Sequence, residues 1–176
     1  MNQRPVLLQH PAEWIAVLRI LVGLYFVKSV YTKLTIVLVG GVLPVPAVSE
    51  RWYAVMPKLV ARQASENPIL WYKDFLEHTV LGHVHLFANL TAWGETAVGI
   101  GLTLGLVTGL ASLVGLVLVT AYGLATQWMS PGQLGFHLLL FALMLAFFAT
   151  RAGRRWGLDA LIARRPKSAL ARRPFS

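Results

Sequence analysis

Four long apolar stretches, separated by short polar turns and one long mixed segment, organise the chain. They cover residues 14–43, 85–107, 109–128 and 133–150. Each holds roughly the 17–25 residues a membrane-crossing helix needs, the first with some to spare. In lipid a backbone must satisfy its own polar groups, and helices of this length do so. The pattern predicts an all-α integral membrane protein, a four-transmembrane-helix bundle forming one domain over residues 1–162. The first stretch is far longer than a signal-peptide core of about 7–15 residues, and it reads as a retained span. A residue or two around Thr108 joins the second and third stretches, and MSPGQ joins the third and fourth, so these helices are antiparallel neighbours. The long segment is 44–82. There Phe75, Leu76, Thr79 and Val80 recur at helical spacing opposite Lys73, Asp74, Glu77 and His78. That spacing predicts a short interfacial helix in the first extracytoplasmic loop, with Trp52, Tyr53, Trp71 and Tyr72 at headgroup level.

Composition sharpens this picture. Hydrophobic residues make up 56% of the chain and charged residues only 13%, about half the charged share of a soluble domain. The net charge of +9 is uneven: eight of the 16 Lys and Arg follow Thr150, with Asp159 as the one acid among them. A basic tail, residues 163–176, directly after an apolar helix is the flank expected on the cytoplasmic side, held by anionic headgroups rather than by nucleic acid. An even span count then places both termini in the cytoplasm. The first loop sets Arg51, Lys58, Arg62 and Lys73 against Glu50, Glu66, Asp74 and Glu77, which fits the outer side. With no cysteine, iron–sulfur clusters, disulfides and thiol chemistry are excluded.

Small residues mark the second and third stretches. Ala97, Gly101, Gly105 and Gly109 recur every four positions, and Ala111 and Gly115 give a second smooth face. Such faces serve packing within the bundle or a homo-oligomer.

Ionisable residues inside the spans carry the candidate chemistry, because a charge near the bilayer centre costs at least ~2.5–3.5 kcal/mol unless it meets a partner or a wet cavity. Glu95 lies in mid-span. Its candidate partners are Arg19 and Lys28. Counting from the inner edge at 1.5 Å per residue puts Lys28 at ~20 Å, Glu95 at ~16 Å and Arg19 at ~8 Å. Arg19 offers the longer, bidentate side chain and is ranked first. Arg19 and Lys28 are nine positions apart and point to opposite faces. The intramembrane polar set is therefore Arg19, Glu95 and Lys28, either functional or merely fixing helix order.

Near the outer face, His83 and His85 begin the second span and His137 lies one turn into the fourth. A histidine pair on two helices is the minimum for a b-type haem, yet interfacial histidines without metal are the commoner case, so neither haem b nor another metal is expected. Tyr122, Gln127 and Trp128 line the outer half of the third span, placed either to bind a quinone headgroup or to anchor the interface. Phosphate loops, nucleophile elbows and paired carboxylates on one face are absent from the sequence.

Three stretches carry a resemblance: RILVGLYFVKSVYTKL, with Arg19, Gly23 and Lys33-Leu34; NPILWYKDFLEHTV running into GETAVGIGLTLGLVTGLASLVGL, with Trp71, Tyr72, Phe75, Glu95, Gly99 and Gly105; and GRRWGLDALI, with Gly153, Trp156, Leu158 and Asp159. In these the chain resembles the DoxX-like family of small bacterial membrane proteins, and within it the DoxD-type small subunits of thiosulfate:quinone oxidoreductase. TIVLVGGVLPVPAV, after Lys33, is longer and more apolar than that pattern. The resemblance implies four spans, the bacterial cytoplasmic membrane and a link to quinone-coupled oxidation.

The resulting expectation is a membrane subunit of a quinone-linked oxidoreductase, with the headgroup near Tyr122, Gln127, His137 and His85, and Arg19–Glu95 as electrostatic support deeper in the bundle. No residue here stores electrons, so a partner subunit or redox cofactor must supply them. The alternatives are a non-catalytic anchor or assembly partner for a redox or envelope protein, and a small carrier of a lipophilic molecule.

Overall fold

The computed structural model describes residues 10–164 and Pro174; apart from Arg164 and Pro174, the basic tail from residue 164 onward lies outside the described residues. Pro11, whose missing N–H is no loss in a first helical turn, opens α1 (Pro11–Lys33). A hairpin follows, β1 (Leu34–Val39) and β2 (Leu43–Val48). Ser49 caps α2 (Glu50–Ser65) by accepting the Trp52 N–H. The chain then runs through α3 (Leu70–Asp74), a π-helical turn (Phe75–Val80) and a 3-10 turn (Leu81–His83) directly into α4 (Val84–Leu104). α5 (Thr108–Thr126), α6 (Pro131–Thr150) and the short α7 (Asp159–Ala163) complete the order.

Among the described residues, α1, α5 and α6 are long and apolar enough to cross a membrane. α4 has 21 residues and matches them in length, but carries His85, Asn89 and Glu95. The chain is thus an α-helical membrane protein. Its core is built by α1, α4, α5 and α6 around Val22, Phe26, Val98, Leu102, Val119, Met144 and Phe147. α1 packs mainly on α4 and α5 on α6, whereas α1 and α6 barely touch. The α1–α4 contact is close because Gly99 has no side chain: a Cβ there would stand 2.7 Å from the Val27 backbone nitrogen. The small-residue faces serve packing within the chain in part, with Gly101 against Ala111 and Gly115 against Met144.

Two expectations need correcting. The first apolar stretch is not one helix to residue 43, because the helix ends at Lys33 and the apolar run continues as the hairpin. β-branched Thr35, Ile36, Val37 and Val39 favour strand. Gly40 and Gly41 turn at φ +63° and +76°, which glycine adopts freely, and Pro44 and Pro46 cannot continue a helix. The segment around Phe75 to Val80 is helical as expected, but as a π-turn leading into α4, with Tyr72, Leu76 and Val80 buried against Met56, Val60 and Ala64 of α2. α2 itself is the longer amphipathic element, and periodicity around residue 75 did not reveal it.

The α4–α5 turn is held from outside. Gly105 closes α4 in the left-handed conformation. The segment after α6 folds back onto it: Asp159 N–H donates to Gly105 O at 2.8 Å, and the Asp159 carboxylate accepts from the N–H groups of Val107 (2.7 Å) and Thr108 (2.9 Å). These are unsatisfied donors at the start of α5, where negative charge is favoured.

A buried lysine–glutamate–tyrosine cluster beneath α2

Lys33 is the last residue of α1. The chain turns there into the hairpin, α2 crosses above it, and its ammonium points back into the bundle. Lys33 Nζ lies 2.5 Å from Glu95 Oε1, with both side chains only 12% exposed. Tyr122 OH donates to the same carboxylate oxygen at 2.5 Å. The Trp52 indole covers the ammonium at 4.3 Å from its ring centroid, and its Nε1–H donates to Ala88 O at 3.2 Å, which fixes the ring. One turn earlier on α1, Ser29 and Thr96 hydroxyls bond at 3.4 Å. A carboxylate holding two charge-assisted partners, with an aromatic face on its counter-ion, is desolvated yet satisfied.

This cluster walls a cavity of about 600 Å³ bounded by Trp52 and Met56 above, Tyr25 and Lys33 of α1, Glu95, Tyr122, and Gln133, Phe136 and His137 of α6. A smaller cavity of about 220 Å³ shares Tyr25, Lys33, Glu95, Tyr122, Phe136 and His137, and reaches Lys28 and Thr32. The larger volume falls within the range of small-molecule sites, and an aromatic lining with a few converging polar groups is their usual chemistry. Tyr25 and Phe136 bridge α1 and α6 as an edge-to-face pair, 5.6 Å between centroids, and both are also exposed on the outer surface. They stand at the gap where α1 and α6 barely touch. His137 Nδ1 donates to Gln133 O at 2.8 Å. That bond assigns the tautomer, because a carbonyl only accepts, and leaves Nε2 as an acceptor.

The predicted site residues divide. Tyr122, His137 and Glu95 come together around the cavity. Gln127 does not join them: it lies with Leu134 and His137 in a separate groove of about 220 Å³ between α5 and α6. His85 packs against the Tyr53 ring, 4.7 Å between centroids, away from the cavity. Lys28 is exposed on α1 and lines only the smaller cavity.

The Arg19–Glu95 pair is also corrected. Glu95 bonds Lys33. Arg19, fully buried, lies at the other end of α1 and donates to Leu102 O, Thr103 O (3.4 Å), Arg155 O (3.5 Å) and Trp156 O (3.2 Å). It is a cap for the last turn of α4. Residues 14–43 taken as one continuous helix put Lys33 well beyond the depth of Glu95, but α1 begins at Pro11 and ends at Lys33. The signal was present: Arg19 and Lys33 are fourteen positions apart, close to four full turns, so they share the face that Phe26 and Ser29 also occupy, while Lys28 does not. Among the described residues no group of three or more His, Cys, Asp or Glu converges to hold a metal.

A helical membrane bundle closed around a polar, aromatic-walled cavity defines the class. The chain belongs to the DoxD family, the family described as TQO small subunit DoxD, whose pattern it matches over residues 14–173. Neither the curated proteins nor the solved structures give a match.

Proposed function

We propose that this protein is the membrane subunit of a quinone-linked oxidoreductase of the thiosulfate:quinone type, and that its cavity takes a quinone headgroup. The carrying observation is the convergence of Lys33, Glu95, Tyr122 and His137 on one aromatic-walled space beside the Tyr25–Phe136 gap between α1 and α6. A hydrophobic ligand dissolved in lipid reaches such a gap by lateral diffusion, and its carbonyl oxygens need donors inside. Lys33 has ammonium protons beyond the one it gives Glu95, and the Tyr122 hydroxyl serves by turning its single proton from Glu95 to the ligand. Glu95, bonded to both, is placed to exchange a proton with Tyr122, and His137 Nε2 can take up or release another. Quinone reduction consumes two electrons with its protons, and no side chain here stores electrons. The family description, a small subunit, supports a partner that brings them.

The membrane arrangement belongs to the same reading. α4 is a fourth span beside the three more apolar helices, both termini are cytoplasmic, α2 and α3 lie on the outer side of a bacterial inner membrane, and the hairpin lies in the outer half of its bilayer. Ser65, exposed at the end of α2, tests the orientation: Ser65→Cys should react with an impermeant thiol reagent on whole cells, and Ser176→Cys should not.

Protein purified in native lipid should carry quinone or bind a quinone analogue, with binding weakened in Tyr122→Phe and His137→Ala, while Gln127→Ala binds as wild type. No bound quinone and no measurable affinity for the analogue in wild type would overturn the quinone reading and leave a membrane anchor for the partner.

A further inference from the structure

The hairpin is the one large element that the cavity does not use. From Leu34 to Val48 it carries no charge, and most of β1 is exposed on both faces: Ile36 is 70% and Leu38 58% exposed on one, Val37 47% and Val39 55% on the other. Protein strands normally guard an open edge with charge or proline. Here the two edges differ. The Ser49 N–H donates to Lys33 O, which fixes the parity of the ladder. Residues paired as Thr35–Ala47, Val37–Val45 and Val39–Leu43 turn their backbone groups toward each other, and the alternate residues turn theirs outward. On β2 the outward residues are Pro44, Pro46 and Val48. The two prolines have no N–H, so that edge has no outward donor before Val48, the last residue of the strand, whose side chain is buried. On β1 they are Ile36 and Leu38, each presenting a free-facing N–H and C=O beside Leu34 O.

We propose that β1 pairs antiparallel with β1 of a second copy of this chain, making a four-stranded sheet in the order β2–β1–β1′–β2′ about a two-fold axis. A pairing centred on Ile36 sets Ile36 opposite its own symmetry mate and Leu34 opposite Leu38, so the outward groups of both strands meet in hydrogen-bonding register. The proline-blocked edge allows each hairpin one added strand only, so assembly closes at two copies instead of growing into a fibre. The occupant is a second copy rather than a soluble partner for two reasons on the same strand. β1 continues without a break from α1, a helix long and apolar enough to cross a membrane, and begins at the level of the Lys33–Glu95 pair. Glu95 is eleven residues, about 16 Å, from the Val84 end of α4, the end toward which α1 runs into the hairpin. Both faces of the sheet are apolar, which suits lipid on either side and an uncharged strand at the edge. In lipid an unpaired backbone group costs several kcal/mol, and the β1–β1′ ladder removes that cost.

The chain has no cysteine, so single replacements report directly. Ile36→Cys, oxidised in native membranes, should give a disulfide-linked dimer, since facing Cα atoms about 5.5 Å apart fall within disulfide reach. Leu43→Cys, equally exposed but on β2, should give several-fold less, because three strand spacings of about 4.8 Å separate the two copies there. Ile36→Pro removes only an outward N–H and should convert the dimer to monomer by subunit counting, with thermal stability of the monomer retained. Failure of Ile36→Cys to cross-link to itself, equal cross-linking at Ile36 and Leu43, or capture of a different protein at Ile36 would each overturn the proposal. Because none of these readouts involves quinone, they stand or fall independently of the cavity's ligand.

Discussion

Arg19 and Asp159 sit on the two sides of one turn and cap the two helix ends that it joins. Arg19 donates to Leu102 O and Thr103 O at the C-terminal end of α4, and Asp159 accepts from Val107 N and Thr108 N at the N-terminal end of α5. Each charge is opposite in sign to the helix-dipole end it meets. Glycines make the approach possible: a Cβ at Gly105 would stand 2.6 Å from Arg19 Nη1, and one at Gly157 would stand 2.9 Å from Gly105 Cα.

Replacing Asp159 by Ala should therefore destabilise the protein by about 3 kcal/mol, since two buried N–H groups lose a charged acceptor. Asp159→Asn, which keeps one acceptor oxygen, should lose less. Thermal unfolding in detergent measures the order wild type, Asn, Ala. An Ala variant as stable as wild type would show that the turn holds without its cap.

Arg19→Met should be at least as damaging. It leaves Asp159 buried and strips four carbonyls of a shared donor. Because both residues act on one turn, the combined Arg19→Met/Asp159→Asn variant should fall short of the sum of the two losses, with a coupling of roughly 0.5–3 kcal/mol. Additive losses would mean that the two caps work independently.

Gly99→Val should separate α1 from α4, because the Cβ meets Val27 and Phe26 backbone rather than a side chain that could rotate away. Overpacking of this kind costs typically 1–3 kcal/mol. It should also draw Lys33 off Glu95, so a loss of stability is expected together with loss of any ligand held in the cavity. Normal ligand binding in Gly99→Val would separate the α1–α4 contact from the site.

The bundle was legible in the sequence because apolar length and helical spacing are both strong signals for membrane helices, and the tight turn around Thr108 marks α4 and α5 as neighbours. Glu95, Tyr122 and His137 were legible for a related reason, as polar groups where lipid should be. Three things were not. An uninterrupted apolar run does not distinguish helix from strand, so residues 34–43 read as more of α1 until Gly40, Gly41, Pro44 and Pro46 are weighed against that run. Trp52 read as an interfacial anchor, and only the packing of α2 across the bundle brings its ring onto Lys33. Charge and reach favour Arg19 as the partner of Glu95, whereas its actual contacts are backbone carbonyls, which no side-chain pattern announces.

The Lys33–Glu95 pair offers a test that separates structure from function. Lys33→Met leaves the Glu95 charge with the Tyr122 hydroxyl, and Glu95→Gln leaves the Lys33 ammonium with a neutral amide and the Trp52 and Tyr122 rings in place of its counter-ion. Breaking a buried pair on one side costs about 3–5 kcal/mol, mainly because the remaining charge stays desolvated. The double variant Lys33→Met/Glu95→Gln removes both charges and still gives Tyr122 a carbonyl to donate to. Its thermal midpoint should recover most of the way to wild type, as buried ion pairs replaced by neutral groups of similar volume usually do. Quinone-analogue affinity should not recover, because the ammonium that would hold the headgroup is gone. A double variant as unstable as either single one would mean that the pair is not an isolated electrostatic unit. A double variant that binds the analogue as tightly as wild type would remove Lys33 and Glu95 from the site and leave Tyr122 and His137 to carry it.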